Sequence, residues 1–175
     1  MARVPYLSRN DLPEAQRGIY DEIAAPRGAP VLGKAFSALL NSPEAARRVA
    51  ALGAYLRYQS VLPPAAREAT ILAVAGELQC EYEWQHHEPL ARKAGLSADA
   101  IAAIRAGSVP EGSGPAEAAA VRYAQELLRS RRVAPDTFEA ARGALGNGGV
   151  VELTVTAGYY TMLALSFHAL EVEAD

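Results

Sequence analysis

Apolar residues recur along most of this chain at steps of three and four, the spacing that puts them on one face of a helix. Asp11 to Ala25 reads as a first helix, with Asn10 or Asp11 as cap and Pro13 tolerated in its first turn. Pro26-Arg27-Gly28-Ala29-Pro30 breaks it. Ser42-Pro43-Glu44 opens the next long helix, in which Val49, Leu52 and Leu56 mark the inward face as far as about Tyr58. Leu62-Pro63-Pro64 ends that element and starts another. From Ala65 to about Gln79 the chain is apolar nearly all round, at Ile71, Leu72, Val74, Ala75 and Leu78, which predicts a central helix.

The elements that follow are shorter or more amphipathic. A helix runs on to Lys93, where Arg92 and Lys93 suit the negative end of the dipole and Gly95-Leu96 forms a C-cap. Ser97 caps a short helix with Ile101 and Ile104 inward, ended by Gly107. The Gly/Pro/Ser-rich loop from Ser108 to Gly114 is too short to link domains. Val121, Ala124 and Leu128 share a face of the next helix, which ends in the basic cluster Arg129-Ser130-Arg131-Arg132. Pro135 opens a helix with Phe138, Ala141 and Leu145 inward, and Asn147-Gly148-Gly149 reads as a turn. The last element spans about Val151 to Leu170; its start alternates like a strand, and its length argues for helix. The pattern as a whole predicts an all-α chain of antiparallel helices with short connections, residues 1–175 as a single domain, the first ten an extended lead-in.

Composition removes several function classes. A net charge of −3 and no basic run with interleaved aromatics give nucleic acid no purchase. One cysteine makes no internal disulfide, and Met1 to Asn10 lacks the apolar core of a signal peptide, so the expected location is cytoplasmic. Leu153 to Leu170 has no Asp, Glu, Lys or Arg and reaches spanning length. It also carries Thr154, Thr156, Thr161, Ser166 and His168 and is bracketed by Glu152 and Glu171 rather than basic anchors. The expectation is a buried helix, not a membrane span, with His168 a satisfied core histidine.

Candidate chemistry concentrates in Cys80-Glu81-Tyr82-Glu83-Trp84-Gln85-His86-His87, which holds the only cysteine, the only tryptophan and two of the three histidines. On a helix starting near Cys80, Cys80, Glu83 and His87 share a face. A thiol in the first turn meets free backbone N–H groups that favour its thiolate. An imidazole beside a carboxylate can move protons near neutral pH. Upstream, Glu68 interrupts an apolar run, so it lies either at the run's solvated start or turned inward to a partner. Turned inward beside His87, it is expected to have its pKa raised by burial and to exchange a proton near neutrality. The competing reading makes Cys80 a small core residue, Glu83 a solvated face, and His86 and His87 partners of nearby carboxylates.

The spacing Glu68, eleven residues, Cys80, two residues, Glu83, three residues, His87 resembles the motif of the carboxymuconolactone decarboxylase and alkylhydroperoxidase D superfamily. Redox members of that superfamily carry a second cysteine where this chain has Glu83. Cys80-Glu-Tyr-Glu-Trp and Ala91-Arg-Lys-Ala-Gly-Leu are similar to the decarboxylase-like branch. The resemblance extends from about Asp11 to Gly158-Tyr-Tyr and Glu171-Val-Glu. It implies the superfamily's helical fold and a homo-oligomer, trimer or hexamer. It also implies a short helix over 34–41 whose aromatic residue, Phe36, faces a small-molecule substrate, although plain core is the simpler reading of that residue.

Three activities follow. In the first, a cofactor-independent lyase acts on a small carboxylated or enolisable metabolite. His87 transfers the proton, Glu68 orients it, Cys80, Tyr82, Glu83 and Trp84 shape the pocket, and Arg67 or Arg57 holds a substrate carboxylate. In the second, Cys80 reduces a hydroperoxide and is reset by an external thiol, because no second cysteine exists to resolve it. In the third, Cys80, His86, His87 and His168 bind a metal. Adjacent histidines on a helix point about a hundred degrees apart, which disfavours that arrangement, and no metal or cofactor is expected.

Overall fold

The computed structural model describes residues 2–28 and 31–174, so residues 29 and 30 of the predicted helix breaker lie outside the described residues. All regular structure among the described residues is helical, as the spacing predicts. The chain groups into two compact units, one of residues 1–60 with 166–175 and one of residues 61–165.

In the first unit the predicted helix from Asp11 is shortened. Two 3-10 turns, Arg9–Asp11 and Glu14–Gln16, precede α1, Arg17–Ala24. Leu12 and Pro13 are extended, with ψ of 143° and 144°. The proline ring excludes the helical conformation for the residue before it and supplies no N–H, so the helix starts only beyond it. Asp11 instead closes the first turn, accepting the Ser8 backbone N–H at 2.8 Å and hydroxyl at 2.6 Å. The lead-in is therefore not extended throughout. After α2, Lys34–Leu39, comes α3, Pro43–Tyr58, which buries Ala46, Ala50, Gly53 and Leu56. Leu52, expected inward, is 41% exposed. Small residues form the inward stripe of α3 and meet Leu12, Tyr20, Ile23, Leu32 and Leu40.

The second unit is built on α4, Pro64–Glu77, which packs against α7, α5 and α6. Every residue from Glu68 to Ala75 is buried, which is why the sequence there is apolar all round. Around it lie α5, Glu81–Lys93; α6, Ala98–Arg105, capped by the Ser97 hydroxyl on the Ala100 N–H at 3.1 Å; and α7, Pro115–Ser130. The last helix, α8, spans Pro135–Leu170 and is interrupted at Gly146 (φ 70°, ψ 174°). The predicted turn at Asn147-Gly148-Gly149 is thus displaced by one residue, and those three residues are helical. Gly146 takes the left-handed φ, whereas Gly149 answers a different need: a Cβ there would lie 2.7 Å from the Leu145 Cβ. Ala141, Val150 and Leu153 then close over Leu62, Ala66, Ala120 and Tyr123. Phe138, expected inward, is 39% exposed, its ring tilted against Tyr123.

Candidate active site

The link from α4 to α5 places the thiol. Leu78 ends the helical turn, Gln79 takes a left-handed φ of 54°, and Cys80 becomes the N-cap of α5 rather than its first-turn residue. The Cys80 N–H donates to Ala75 O at 2.9 Å, which pins the cap to α4. Cys80 is 3% exposed and borders a cavity of about 350 Å³ lined also by Ala75, Gly76, Gln79, Glu81 and Arg105. Backbone N–H groups of Glu83 and Tyr82 reach the sulfur, as the helix-end argument expects. They do not win. Burial pushes the thiol up from its ordinary value, and the charges of Glu83 and Glu81 add to that push. The favoured thiolate is overturned: this thiol is held protonated.

One turn into α5, the structure joins Glu68, Glu83 and His87. All three are buried, and His87 Nδ1 lies 2.8 Å from Glu68 Oε2. His87 Nε2 lies 3.5 Å from Glu83 Oε2. The other oxygen of Glu68 accepts from Arg67 Nε and Nη2 at 3.4 Å each. Burial, the largest influence on Glu68, pushes its carboxyl up. The hydrogen bond and charge of His87, with those of Arg67, outweigh it and hold the carboxyl below the ordinary range. The expected rise is therefore corrected, because burial came with two basic partners.

An ionised Glu68 only accepts, so His87 Nδ1 carries a hydrogen and donates it. The Nε2 lone pair then faces a second carboxylate, and this contact is attractive only with a proton on Nε2 or on Glu83. The arrangement sets one imidazole between two carboxylates, Nδ1 on Glu68 and Nε2 on Glu83, the elements of general acid–base chemistry. Glu83 is therefore not the solvated face of the competing reading.

The remaining predicted residues divide by location. Tyr82 is half-buried and contributes its backbone N–H to the thiol. Trp84 turns toward α6: its Nε1 donates to Glu88 at 2.9 Å and the Arg105 guanidinium stacks 4.4 Å over its ring. His86 is exposed, its ring 5.1 Å from that of His87. Phe36 belongs to the other unit, half-buried against that unit's core with Arg27 4.2 Å over its ring. Arg57 also lies there, over Tyr58. His168 is exposed, which corrects its expected core position. Among the described residues no group of three or more His, Cys, Asp or Glu is arranged to hold a metal ion.

Three buried polar residues were not among the candidate site residues. Tyr160 of α8 sets its ring edge-to-face on His87, with centroids 5.1 Å apart. Gln125 Nε2 and Thr156 Oγ1 are buried with no hydrogen-bond partner, an arrangement native cores rarely leave. Thr156 and Tyr160 stand one turn apart, so a search for polar residues at i, i+4 on an apolar helix would have singled them out.

Residues 43–126 match the Carboxymuconolactone decarboxylase family. A search of curated proteins finds no match. Among solved structures the chain is similar to the debrominase Bmp8, with a TM-score of 0.78 at 15% identity over 98% of this chain and 91% of that one. It is also similar to an uncharacterized peroxidase-related protein with an alkylhydroperoxidase AhpD core from Ralstonia eutropha JMP134. There the TM-score is 0.80 at 17% identity over 99% of this chain and 92% of that one. The matched segment carries Glu68, Cys80 and His87, and the helical arrangement around it is shared. The family match thus covers the middle of the chain, and the helical fold is the one these solved structures share.

Proposed function

We propose that the protein is a cofactor-independent acid–base enzyme of the lyase type, acting in the cytoplasm on a small carboxylated or enolisable metabolite. The observation that carries this reading is the buried His87 held between Glu68 and Glu83. Glu68 fixes the imidazole through Nδ1, His87 and Arg67 together keep Glu68 ionised, and Nε2 or Glu83 delivers the proton to substrate carbon or takes it from there. Groups so placed contribute about a hundred- to ten-thousand-fold in rate. Cys80 lines the cavity at the start of α5 and stays a thiol.

One observation favours a second reading. A cysteine-to-alanine variant of the debrominase neighbour forms a complex with 2,3,4-tribromopyrrole, and in this chain the Cys80 sulfur meets two backbone N–H groups. A single-cysteine peroxidase would use them to steady a developing thiolate, with an external thiol as reductant.

The two are separated by following small carboxylated lactones and β-keto acids by NMR in D2O, in parallel with an organic hydroperoxide supplied with dithiol. Cys80→Ser is expected to retain carbon-acid turnover or deuterium exchange, and His87→Ala to lose it. Hydroperoxide turnover abolished in Cys80→Ser, with no carbon acid processed, overturns the proposal and establishes the second reading.

A further inference from the structure

The cavity at the start of α5 carries chemistry that the acid–base site does not use. It is lined by Ala75, Gly76, Gln79, Cys80, Glu81 and Arg105, and none of Glu68, Glu83 and His87 lines it. Two of its residues go against the preference of their own backbone. Gly76 is helical, where alanine is favoured, and a Cβ there would meet Trp84 and Ile104 at an ordinary 3.5 Å. Neither backbone nor packing therefore asks for a glycine, and its missing side chain leaves room in the cavity. Gln79 takes the left-handed φ of 54° that glycine adopts most readily, and so brings a polar amide to the same wall.

Among the described lining residues Arg105 is the one cation. Its guanidinium is held from two sides. It stacks 4.4 Å over the Trp84 ring, and Nη2 donates to Glu81 Oε2 at 2.7 Å. These contacts differ in permanence. Trp84 is buried, so the stack fixes the guanidinium at the edge of the cavity. The side chains of Glu81 and Arg105 are both about half exposed, and an ion pair so solvated contributes little. Glu81 is otherwise held by the amide of the exposed Gln85, which donates to Oε1 at 3.1 Å. Glu81 and Arg105 also line a groove of about 350 Å³ between α5 and α6, so Glu81 can turn into solvent without unpacking the core. What stays behind is an oriented, planar donor fork, the geometry that recognises a carboxylate.

We infer that this cavity binds a small organic carboxylate, with the anionic group on Arg105 in place of Glu81 and the body of the molecule between Gly76 and Cys80. The volume, about 350 Å³, is at the small end of ligand pockets and fits a molecule the size of benzoate. The neighbouring thiol is held protonated, so it sets no second negative charge against the ligand. The inference stands apart from the reaction proposed above, since the His87 site shares no residue with this cavity, and the failure of either leaves the other intact.

Isothermal titration calorimetry with benzoate tests it, on wild type, Arg105→Gln, Glu81→Gln and Gly76→Ala, with benzamide as the uncharged control and circular dichroism to confirm folding. Wild type is expected to bind benzoate at least about tenfold more tightly than benzamide. Arg105→Gln should remove that preference. Glu81→Gln removes the competing carboxylate and should tighten benzoate about two- to fivefold. Gly76→Ala, whose methyl group enters the cavity without a clash, should keep the fold and weaken benzoate by about tenfold; it decides the matter should Arg105→Gln disturb the packing on Trp84. Benzoate should also slow alkylation of Cys80 by iodoacetamide in the wild type. No binding of benzoate at millimolar concentration, or benzamide bound equally well, overturns the inference. So does a benzoate affinity that Glu81→Gln fails to raise, or one that the folded Arg105→Gln and Gly76→Ala variants leave unchanged.

Discussion

Replacing Glu68 by glutamine isolates the charge at the centre of the site, because the amide matches the protonated carboxyl in size and shape. A hydrogen bond to a charged group contributes about 1.5–3 kcal/mol. The Arg67 contact, at 3.4 Å from a guanidinium that is partly solvated, adds less than about 1 kcal/mol. Removing a buried carboxylate also returns its desolvation cost, so the net loss at pH 7 is expected to be about 1–2 kcal/mol. In urea, with a slope of about 2 kcal/mol per molar, the midpoint falls by about 0.5–1 M. The only tryptophan, Trp84, is buried in the same unit and reports the transition by its fluorescence. The pH dependence has a definite sign. The folded carboxyl lies below its ordinary value of 4.5, so its stabilisation is complete above that value and is lost as pH falls through the folded one. The gap between wild type and variant should therefore be constant near neutrality and close on acidification, as the wild-type carboxyl takes up its proton. A gap that stays the same from pH 7 down to pH 3, or no gap at pH 7, refutes the reasoning. The same variant should lose at least about two orders of magnitude in turnover of a carbon acid.

Two further outcomes follow. Cys80 is expected to alkylate slowly with iodoacetamide at pH 7 and to speed up as pH rises beyond the ordinary thiol range, since burial holds the sulfur protonated; mass spectrometry after brief peroxide treatment should show little sulfenic acid. Fast alkylation that is flat from pH 6 to 9 would contradict this. Gly149→Ala should lower thermal stability by about 1–3 kcal/mol, because the new methyl group meets Leu145 at 2.7 Å in a packed helix; an unchanged melting temperature would show that Leu145 gives way freely.

How much of this was legible in the sequence depends on what kind of signal each part leaves. The central position of α4 was legible, since a helix buried on every side must be apolar on every side. So was the meeting of Glu68 with His87, through the spacing and the oddity of a carboxylate in an apolar run. The inward face of α3 was not, because alanine and glycine carry close packing without a hydrophobicity signal and the larger Leu52 drew the reading outward. The start of α1 was misplaced because Pro13 keeps Leu12 out of the helical region, so a helix begun at Asp11 cannot run through that pair. The states of Glu68 and Cys80 were both misjudged for one reason. Sequence shows which groups are near each other along the chain, whereas a pKa depends on the sum of burial and partners, and that sum exists only after folding. His168 was assigned to the core from its apolar neighbours, but at one residue in three to four a helix turns outward, and this is that residue.

Gln79 has a consequence for how the protein tolerates change. A side chain held in the left-handed region costs about 1–2 kcal/mol relative to glycine. Yet a glycine adds freedom to the unfolded chain worth about 0.4–1 kcal/mol in the opposite direction. The two partly offset, leaving roughly 1 kcal/mol in favour of glycine, so global robustness gives only modest selection at this position. What distinguishes them is stiffness. Gln79 narrows the conformations open to the turn that carries the thiol, and glycine would widen them, with little change in melting temperature to announce it. A campaign that ranks variants by heat resistance alone would pass over position 79, although a single exchange there loosens the joint on which Cys80 is mounted.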